Sequence, residues 1–279
     1  MKHCHISIIC NELPFLKQKL PFLYEHFEQI IFIDYNIYNK CNSTDGTIEY
    51  IENFYDPTNK ITLIKFTESN LKQINNFNGV SMIEKQKMFA LGSKYIKDEI
   101  NIIWATDMDE FFNNNLIKIV ENEFTKDDKL ITIDIPEMMF VYNQFNIFKG
   151  EEKDNSTYVC PARITKHFKN KIYGHCNFSS YGKTIKCNKE YIYHFAWVGV
   201  NRVKFKSNIY NKSNNSEKNK INEIFLKIYL DNLKENNKYI NIYHTNKDLK
   251  FKSIKYTSEL YPKYIDINTL INELNSSNN

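Results

Sequence analysis

Residues 101–112 read NIIWATDMDEFF, and this stretch decides the fold. The apolar run IIWA is β-favourable and predicts a short buried strand, which three carboxylates follow: Asp107, Asp109 and Glu110. In open α/β sheets, ligands bind just beyond the carboxyl ends of the strands. Two aspartates one residue apart can direct their oxygens at one hard cation, such as Mg²⁺ or Mn²⁺. Carboxylates are also favourable at a helix N-terminus, and a helix is predicted at 113–123. This stretch alone is therefore consistent with either a metal site or a helix cap.

The residues before this stretch alternate between strand-like and helix-like patterns. Apolar runs predict strands at 5–10, 30–33 and 61–66, and helical spacing predicts helices at 13–27, 47–54 and 82–97. Pro21 predicts a kink or a break in the first helix. This alternation implies parallel strands joined by right-handed crossovers, and therefore an α/β fold with a mostly parallel, doubly wound sheet and helices on both faces.

Polar residues follow three of the predicted strands at corresponding points. They are Asn11-Glu12, Asp34 and Asp107. Because parallel strands bring their carboxyl ends to one edge of a sheet, these residues are expected to converge there. This convergence favours the metal site over the helix cap.

The pattern changes after the acidic turn. One strand is predicted at 130–141, and shorter strands are predicted at 158–168, 171–178 and 190–195, as in a short mixed or antiparallel extension. Residues from 201 onward have helical spacing. We therefore expect a nucleotide-binding and catalytic domain at 1–200 and a helical extension at 201–279.

The composition is that of an ordinary globular protein. Of 279 residues, 42% are hydrophobic and 25% are charged, and the net charge of +4 is spread among interspersed acids and lysines, with no basic stripe for nucleic acid. No apolar run approaches the roughly 18–20 residues that span a bilayer, and the N-terminus lacks a signal-peptide pattern. These features predict a cytoplasmic protein without a transmembrane segment.

The six cysteines form no Cys-x-x-Cys pair, so most are expected to be free thiols. A zinc site is the alternative for one group, made of Cys160, His175, Cys176 and Cys187.

Taken in order, the motifs resemble those of GT-A-fold nucleotide-sugar glycosyltransferases of the family-two-like group, over about residues 4–206. The resemblance rests on the strand ends at Asn11-Glu12 and Asp34, the run STDGT at 43–47, the helix motif EKQK at 84–87 and the D-x-D-E-F turn at 107–111. A looser match is YHFAW at 193–197, which is similar to a late H-x-x-W element followed by lysines. Two departures are the insertion at 35–42 and the absence of the Glu-Asp pair that many inverting members carry after the metal motif.

The resemblance implies a donor site for a UDP-sugar. Asp34 would accept a hydrogen bond from the base, Asn11 and Glu12 would border the nucleoside, and Lys85 or Gln86 would face the nucleotide. The alternatives are a helix-cap or turn aspartate for Asp34, polar strand ends for Asn11 and Glu12, and a solvated helix face for Lys85 and Gln86.

The metal and the diphosphate involve a second group of residues. Asp109 would coordinate Mn²⁺ or Mg²⁺ directly, and Asp107 would bind the ribose or the metal. His194 is the candidate third ligand, with a packed core histidine as the alternative. Glu110 could contact the metal ligands without binding the metal itself. Lys204 could neutralise the diphosphate.

An inverting transfer also needs a general base beside the acceptor hydroxyl. Glu137 is the candidate, with Asp154 and His175 as rivals, and a retaining enzyme would need no such base.

The expected function is transfer of a hexose or N-acetylhexosamine from a UDP-sugar to a hydroxyl of a glycan, protein or lipid. The C-terminal helices would form part of the acceptor side or a contact in a homo-oligomer. One alternative is a haloacid-dehalogenase-type phosphohydrolase, with Asp107 as nucleophile and Asp109 as acid/base. The other is a sugar-nucleotide-binding protein without catalysis.

Overall fold

The structure is a computed structural model that describes residues 1–35, 40–67, 69–70, 83–142, 163–171, 173, 182–187, 189–199, 202 and 262–276. The strands and helices in these ranges alternate, as the sequence predicts. In chain order they are β1 (His3–Ile9), α1 (Leu13–His26), β2 (Gln29–Asp34), α2 (Thr47–Glu52), β3 (Ile61–Lys65), α3 (Ile83–Ser93), β4 (Ile102–Trp104), β5 (Glu110–Phe111), α4 (Asn114–Lys126), β6 (Leu130–Asp134), β7 (Glu137–Tyr142), β8 (Ile164–Lys166), β9 (Lys183–Lys186), β10 (Ile192–Val198) and α5 (Ile267–Ser276).

Seven of the described strands form a mostly parallel sheet in the order β3-β2-β1-β4-β8-β6-β9. Within this sheet only β8 runs antiparallel to its two neighbours, β4 and β6. Every residue of β2 is buried, which is the pattern of a parallel strand covered on both faces. The predicted α/β fold with a mostly parallel sheet is confirmed.

The remaining described strands form a smaller mixed sheet in the order β5-β10-β7. In it β10 runs antiparallel to β5 and parallel to β7. The prediction of a single strand at 130–141 is wrong, because β6 and β7 belong to different sheets. The chain leaves β6 at Ile135-Pro136, where proline has no N–H for a strand ladder.

The chain divides into two compact units that correspond to the two sheets. Unit 1 comprises Met1–Met108, Phe112–Ile135 and Cys160–Glu190, and unit 2 comprises Asp109–Phe111, Pro136–Val159 and Tyr191–Asn279. The predicted domain boundary at residue 200 falls within unit 2, and most residues beyond it lie outside the described ranges, so that division stays a prediction.

Close packing of α3 against the sheet organises the core of unit 1. Gly92 lies so near the strands that a Cβ atom there would stand 2.4 Å from Ile33 Cδ1 and 2.9 Å from Ile6 Cδ1. The neighbouring core residues Met88 and Phe89 are completely buried. Glycine at this position therefore lets the helix approach β1 and β2.

Helices α1 and α4 of unit 1 bear on two features predicted from the sequence, the effect of Pro21 and the start of the helix after the acidic turn. Helix α1 contains Pro21 without a break, so a break there is wrong, and a kink at Pro21 stays a prediction. The N-terminus of α4 is capped by Asn113, whose side chain accepts a hydrogen bond from the Leu116 N–H at 3.0 Å. Within the described ranges, none of the helices combines the length and apolar character needed to cross a membrane.

Candidate active site

The carboxyl ends of β1, β2 and β4 meet at one edge of the large sheet in unit 1. These strands pair in parallel, with Ile9 opposite Asp34 and His5 opposite Trp104. The residues that follow them, Asn11-Glu12 and Asp107, therefore lie at that edge.

Asp34 is fully buried at this edge and holds the loop that carries the STDGT run. Its carboxylate accepts a hydrogen bond from the Ser43 N–H at 3.0 Å and another from the Ser43 hydroxyl. Burial raises the pKa of Asp34, while these hydrogen bonds act in the opposite direction. Asp34 thus has a structural role in the loop, and its contact with a nucleotide base stays a prediction.

Asn11 and Asp45 connect the same loop to the beginning of α1. Asn11 has a φ of 52°, and its side chain accepts a hydrogen bond from the Thr44 N–H at 2.8 Å. The Asp45 carboxylate accepts hydrogen bonds from the N–H groups of Leu13 and Thr47 at 3.1 and 3.0 Å. The Glu12 N–H donates to the Thr47 hydroxyl at 3.0 Å. The loop is thereby fixed against the end of β1.

Lys85 and Gln86 are half-buried on α3, and their predicted contact with a nucleotide stays a prediction. Lys204 and the two rival bases, Asp154 and His175, lie outside the described residues. Three members of the alternative zinc group, including His175, also lie outside them, whereas Cys187 is a buried free thiol.

The backbone at Asp107 is held by a buried lysine of α1. Lys19 is fully buried, and its ammonium donates hydrogen bonds to the Asp107 carbonyl at 2.7 Å and to the Thr106 hydroxyl at 3.1 Å. The same hydroxyl lies 2.8 Å from His5 Nε2. A buried charge needs such partners, so Lys19 anchors the start of the acidic turn.

Unit 2 brings together Asp109 and His194, which were predicted as ligands of one cation, and Glu137, which was predicted as the general base. His194 on β10 pairs with Glu110 on β5, and Glu137 pairs with Ile192, two residues before His194. Because side chains alternate along a strand, Glu110, Glu137 and His194 lie on one face of the small sheet.

His194 lies among three carboxylates. Its Nε2 is 3.5 Å from Asp109 Oδ1, and its Nδ1 is 3.0 Å from Glu137 Oε2 and 4.0 Å from Glu110 Oε1. Burial lowers the pKa of His194, but the charges of Asp109 and Glu137 and hydrogen bonds with both raise it to about 10. The ring therefore lies in a strongly negative environment.

Arg202 supplies a positive charge that the sequence analysis missed. Its Nη2 donates to Asp109 Oδ2 at 3.0 Å, and the side chains are only 6% and 4% exposed. The chain has two arginines, Arg163 and Arg202, among many lysines, and both are buried. That rarity was the available signal, because arginine is the usual partner in buried ion pairs.

Gly199, directly after β10, packs closely against α5. Gly199 has a φ of 83°, and a Cβ atom there would stand 2.8 Å from Leu274 Cβ on α5. Glycine meets both the positive φ and the close approach.

The donor set is suited to a divalent cation. Two ligand atoms of one octahedral Mg²⁺ or Mn²⁺ lie about 3 Å apart, close to the observed spacing between His194 Nε2 and Asp109 Oδ1. Glu110, Glu137 and His194 also offer ligand atoms within 4.8 Å of one another.

Comparison with known proteins adds little to this geometry. No family model matches the chain, and no curated protein matches it. One matching solved structure is the 4-diphosphocytidyl-2C-methyl-D-erythritol synthase of Anaerococcus prevotii DSM 20548. That match has 10% identity, covers 82% of this chain and 98% of that one, and has a TM-score of 0.33. A TM-score this low supports no inference about activity.

Proposed function

We propose that this protein is a metal-dependent glycosyltransferase that moves a hexose or N-acetylhexosamine from a UDP-sugar to a hydroxyl of a glycan, protein or lipid. One observation carries the proposal: His194 Nε2 lies 3.5 Å from Asp109 Oδ1 in a buried cluster of charges. A packed core histidine would not need three carboxylates around it. A cation that replaces the proton between Nε2 and Oδ1 would be held by both residues.

Asp109 and His194 would hold the cation in this proposal. An imidazole in the donor set favours Mn²⁺ over Mg²⁺, because Mg²⁺ prefers oxygen ligands alone. The bound cation would act as a Lewis acid that neutralises the departing diphosphate. Arg202 would keep the Asp109 carboxylate in place through its 3.0 Å ion pair.

The remaining donor contacts are part of the same proposal. Asn11, Glu12 and Asp34 would border the nucleoside at the edge of the large sheet, and Asp107 would bind the ribose or the cation. Lys85 or Gln86 would face the nucleotide, and Lys204 would neutralise the diphosphate. The resemblance in sequence motifs supports these roles, and the ends of β1, β2 and β4 meet at one edge, as such a donor site requires.

Hydrolysis of nucleotide-sugars in the absence of an acceptor tests the proposal. Release of the nucleoside diphosphate would be followed for a panel of UDP- and GDP-sugars, with Mn²⁺ and with a chelator. We expect Mn²⁺-dependent release of UDP that falls to the chelator background in Asp109→Asn and His194→Gln. Glu123→Gln is the control, because Glu123 forms ion pairs with two exposed lysines, Lys126 and Lys189.

Two results would contradict the proposal. Turnover of p-nitrophenyl phosphate without turnover of any nucleotide-sugar would favour the phosphohydrolase. UDP binding without turnover of any donor, even with candidate acceptors present, would favour the binding protein.

A further inference from the structure

Glu137 is a buried partner of His194. It begins β7 and is 1% exposed, and its Oε2 lies 3.0 Å from His194 Nδ1. The register places both side chains on the same face of the small sheet, since Glu137 pairs with Ile192, two residues before His194. The pairing of β7 with β10 therefore sets this contact.

The contact determines which nitrogen of His194 can bind a cation. When a cation replaces the proton on Nε2, the imidazole N–H at Nδ1 still donates to Glu137, and the Nε2 lone pair binds the cation. That lone pair lies on the side of Asp109 Oδ1, 3.5 Å away. Two electron-pair donors facing each other at this distance need a proton or a cation between them. The Glu137 contact thus leaves Nε2 as the ring nitrogen that can bind a cation.

The same geometry argues against Glu137 as the general base. A base must come within hydrogen-bond reach of the acceptor hydroxyl. The Glu137 side chain is 0% exposed and lies at Nδ1, whereas the His194 side chain remains 13% exposed. Glu110 is likewise fully buried, and its Oε1 lies 4.0 Å from the same Nδ1.

We propose that Glu137 is a positioning residue, which orients His194 and fixes its tautomer so that Nε2 and Asp109 hold one divalent cation. This inference rests on the proposed function, because it assigns that metal site its supporting carboxylate. In metal sites of this kind, loss of the carboxylate behind a histidine ligand weakens metal affinity by about 10- to 100-fold.

Mn²⁺ alone is the probe for the test, and binding is followed by electron paramagnetic resonance of free and bound Mn²⁺. Glu137→Ala is expected to weaken the Kd for Mn²⁺ by about 10- to 100-fold. Glu137→Gln keeps an oxygen that accepts from Nδ1, so its Kd should stay within about threefold of the wild type. Asp134→Asn is the control, because Asp134 ends β6 in the other sheet and is half-buried.

Pulsed electron paramagnetic resonance spectra of bound Mn²⁺ supply a readout that a merely structural role of Glu137 would not change. Wild type and Glu137→Gln should show coupling of Mn²⁺ to an imidazole nitrogen, which His194→Gln removes and Glu137→Ala weakens. Circular dichroism and thermal midpoints of every variant separate this loss from unfolding.

The outcomes distinguish the two proposals. Absence of Mn²⁺ binding by the wild type overturns the metal site and with it the proposed function. Mn²⁺ binding with wild-type affinity and nitrogen coupling in folded Glu137→Ala overturns the positioning role alone, and is the pattern that a general base would give.

Discussion

The ion pair between Arg202 and Asp109 yields the sharpest prediction about the charge cluster. Arg202→Met removes the guanidinium and keeps much of the side-chain volume. It leaves Asp109, whose side chain is 4% exposed, without its 3.0 Å partner. Breaking a buried pair by removing one member costs about 3–5 kcal/mol, because the other charge stays buried. We expect a loss of that size in the free energy of unfolding without metal.

A double-mutant cycle isolates the pair from other effects of the substitution. Arg202→Met, Asp109→Asn and the double variant would be unfolded with urea in the presence of a chelator and followed by tryptophan fluorescence. The double variant removes both charges, so neither stays buried without its partner. Its loss in the free energy of unfolding should therefore be smaller than the sum of the two single losses by about 1–3 kcal/mol. Lys189→Met is the control: its pair with Glu123 has a similar length of 2.8 Å, but Lys189 is 62% exposed. The control should therefore cost about 0–1 kcal/mol.

Mn²⁺ adds a second arm to this prediction. A bound cation would restore positive charge beside Asp109, and saturation at about 100 times the Kd stabilises the folded state by about 2.7 kcal/mol. Mn²⁺ should therefore recover part of the loss in Arg202→Met and none in Asp109→Asn. A coupling below about 0.5 kcal/mol together with a wild-type unfolding midpoint in Arg202→Met would refute a buried ion pair at this position.

Three further predictions concern unit 1. Lys19→Met should lower the free energy of unfolding by about 1–3 kcal/mol, because the Asp107 carbonyl loses its buried donor, and an unchanged urea midpoint would contradict this. Gly92→Val should cost about 1–3 kcal/mol by forcing α3 away from Ile33, and wild-type thermal stability would show that the packing is looser than described. Burial raises the pKa of Asp56, but the hydrogen bonds that its carboxylate accepts lower it further, so that the net shift is downward. Asp56→Asn should therefore be less stable than the wild type at pH 7. That difference should shrink as the pH falls below about 4, and urea midpoints that differ equally at pH 7 and pH 3 would contradict it.

The direction of the Asp56 effect follows from linkage. The folded carboxyl has a lower pKa than the unfolded one because it accepts hydrogen bonds from the N–H groups of Lys60 and Ile61, each at 2.9 Å, and from the Tyr24 hydroxyl. Its stabilisation is therefore present above the unfolded pKa and is lost as the pH falls through the folded value.

Local patterns were sufficient to predict the alternating strands and helices of the first half of the chain. The completely buried strand β2 and the glycine-containing turn before α2 each have a signal within a few residues. The break between β6 and β7 was missed because the apolar pattern continues across Pro136, and only pairing with distant strands shows where one sheet ends.

The candidate site was predictable only where its residues lie within one short stretch of sequence. Asp107 and Asp109 follow an apolar strand, so their chemistry is visible in a short stretch. The contact between Glu137 and His194 depends on the register of β7 and β10, which the sequence did not reveal. Arg202 differs from the lysines in being one of two arginines, but its partner Asp109 lies 93 residues away in the sequence, so only the structure shows the contact.

A thermal-shift titration with UDP tests the central claim most directly. Wild type and Asp109→Asn would be titrated with UDP, GDP and CMP, each with Mn²⁺ and with a chelator, because a ligand of the folded state raises the midpoint by mass action. The proposed function predicts a UDP-dependent rise that requires Mn²⁺ and disappears in Asp109→Asn. No rise with any nucleotide, or an equal rise in a folded Asp109→Asn variant, would contradict it.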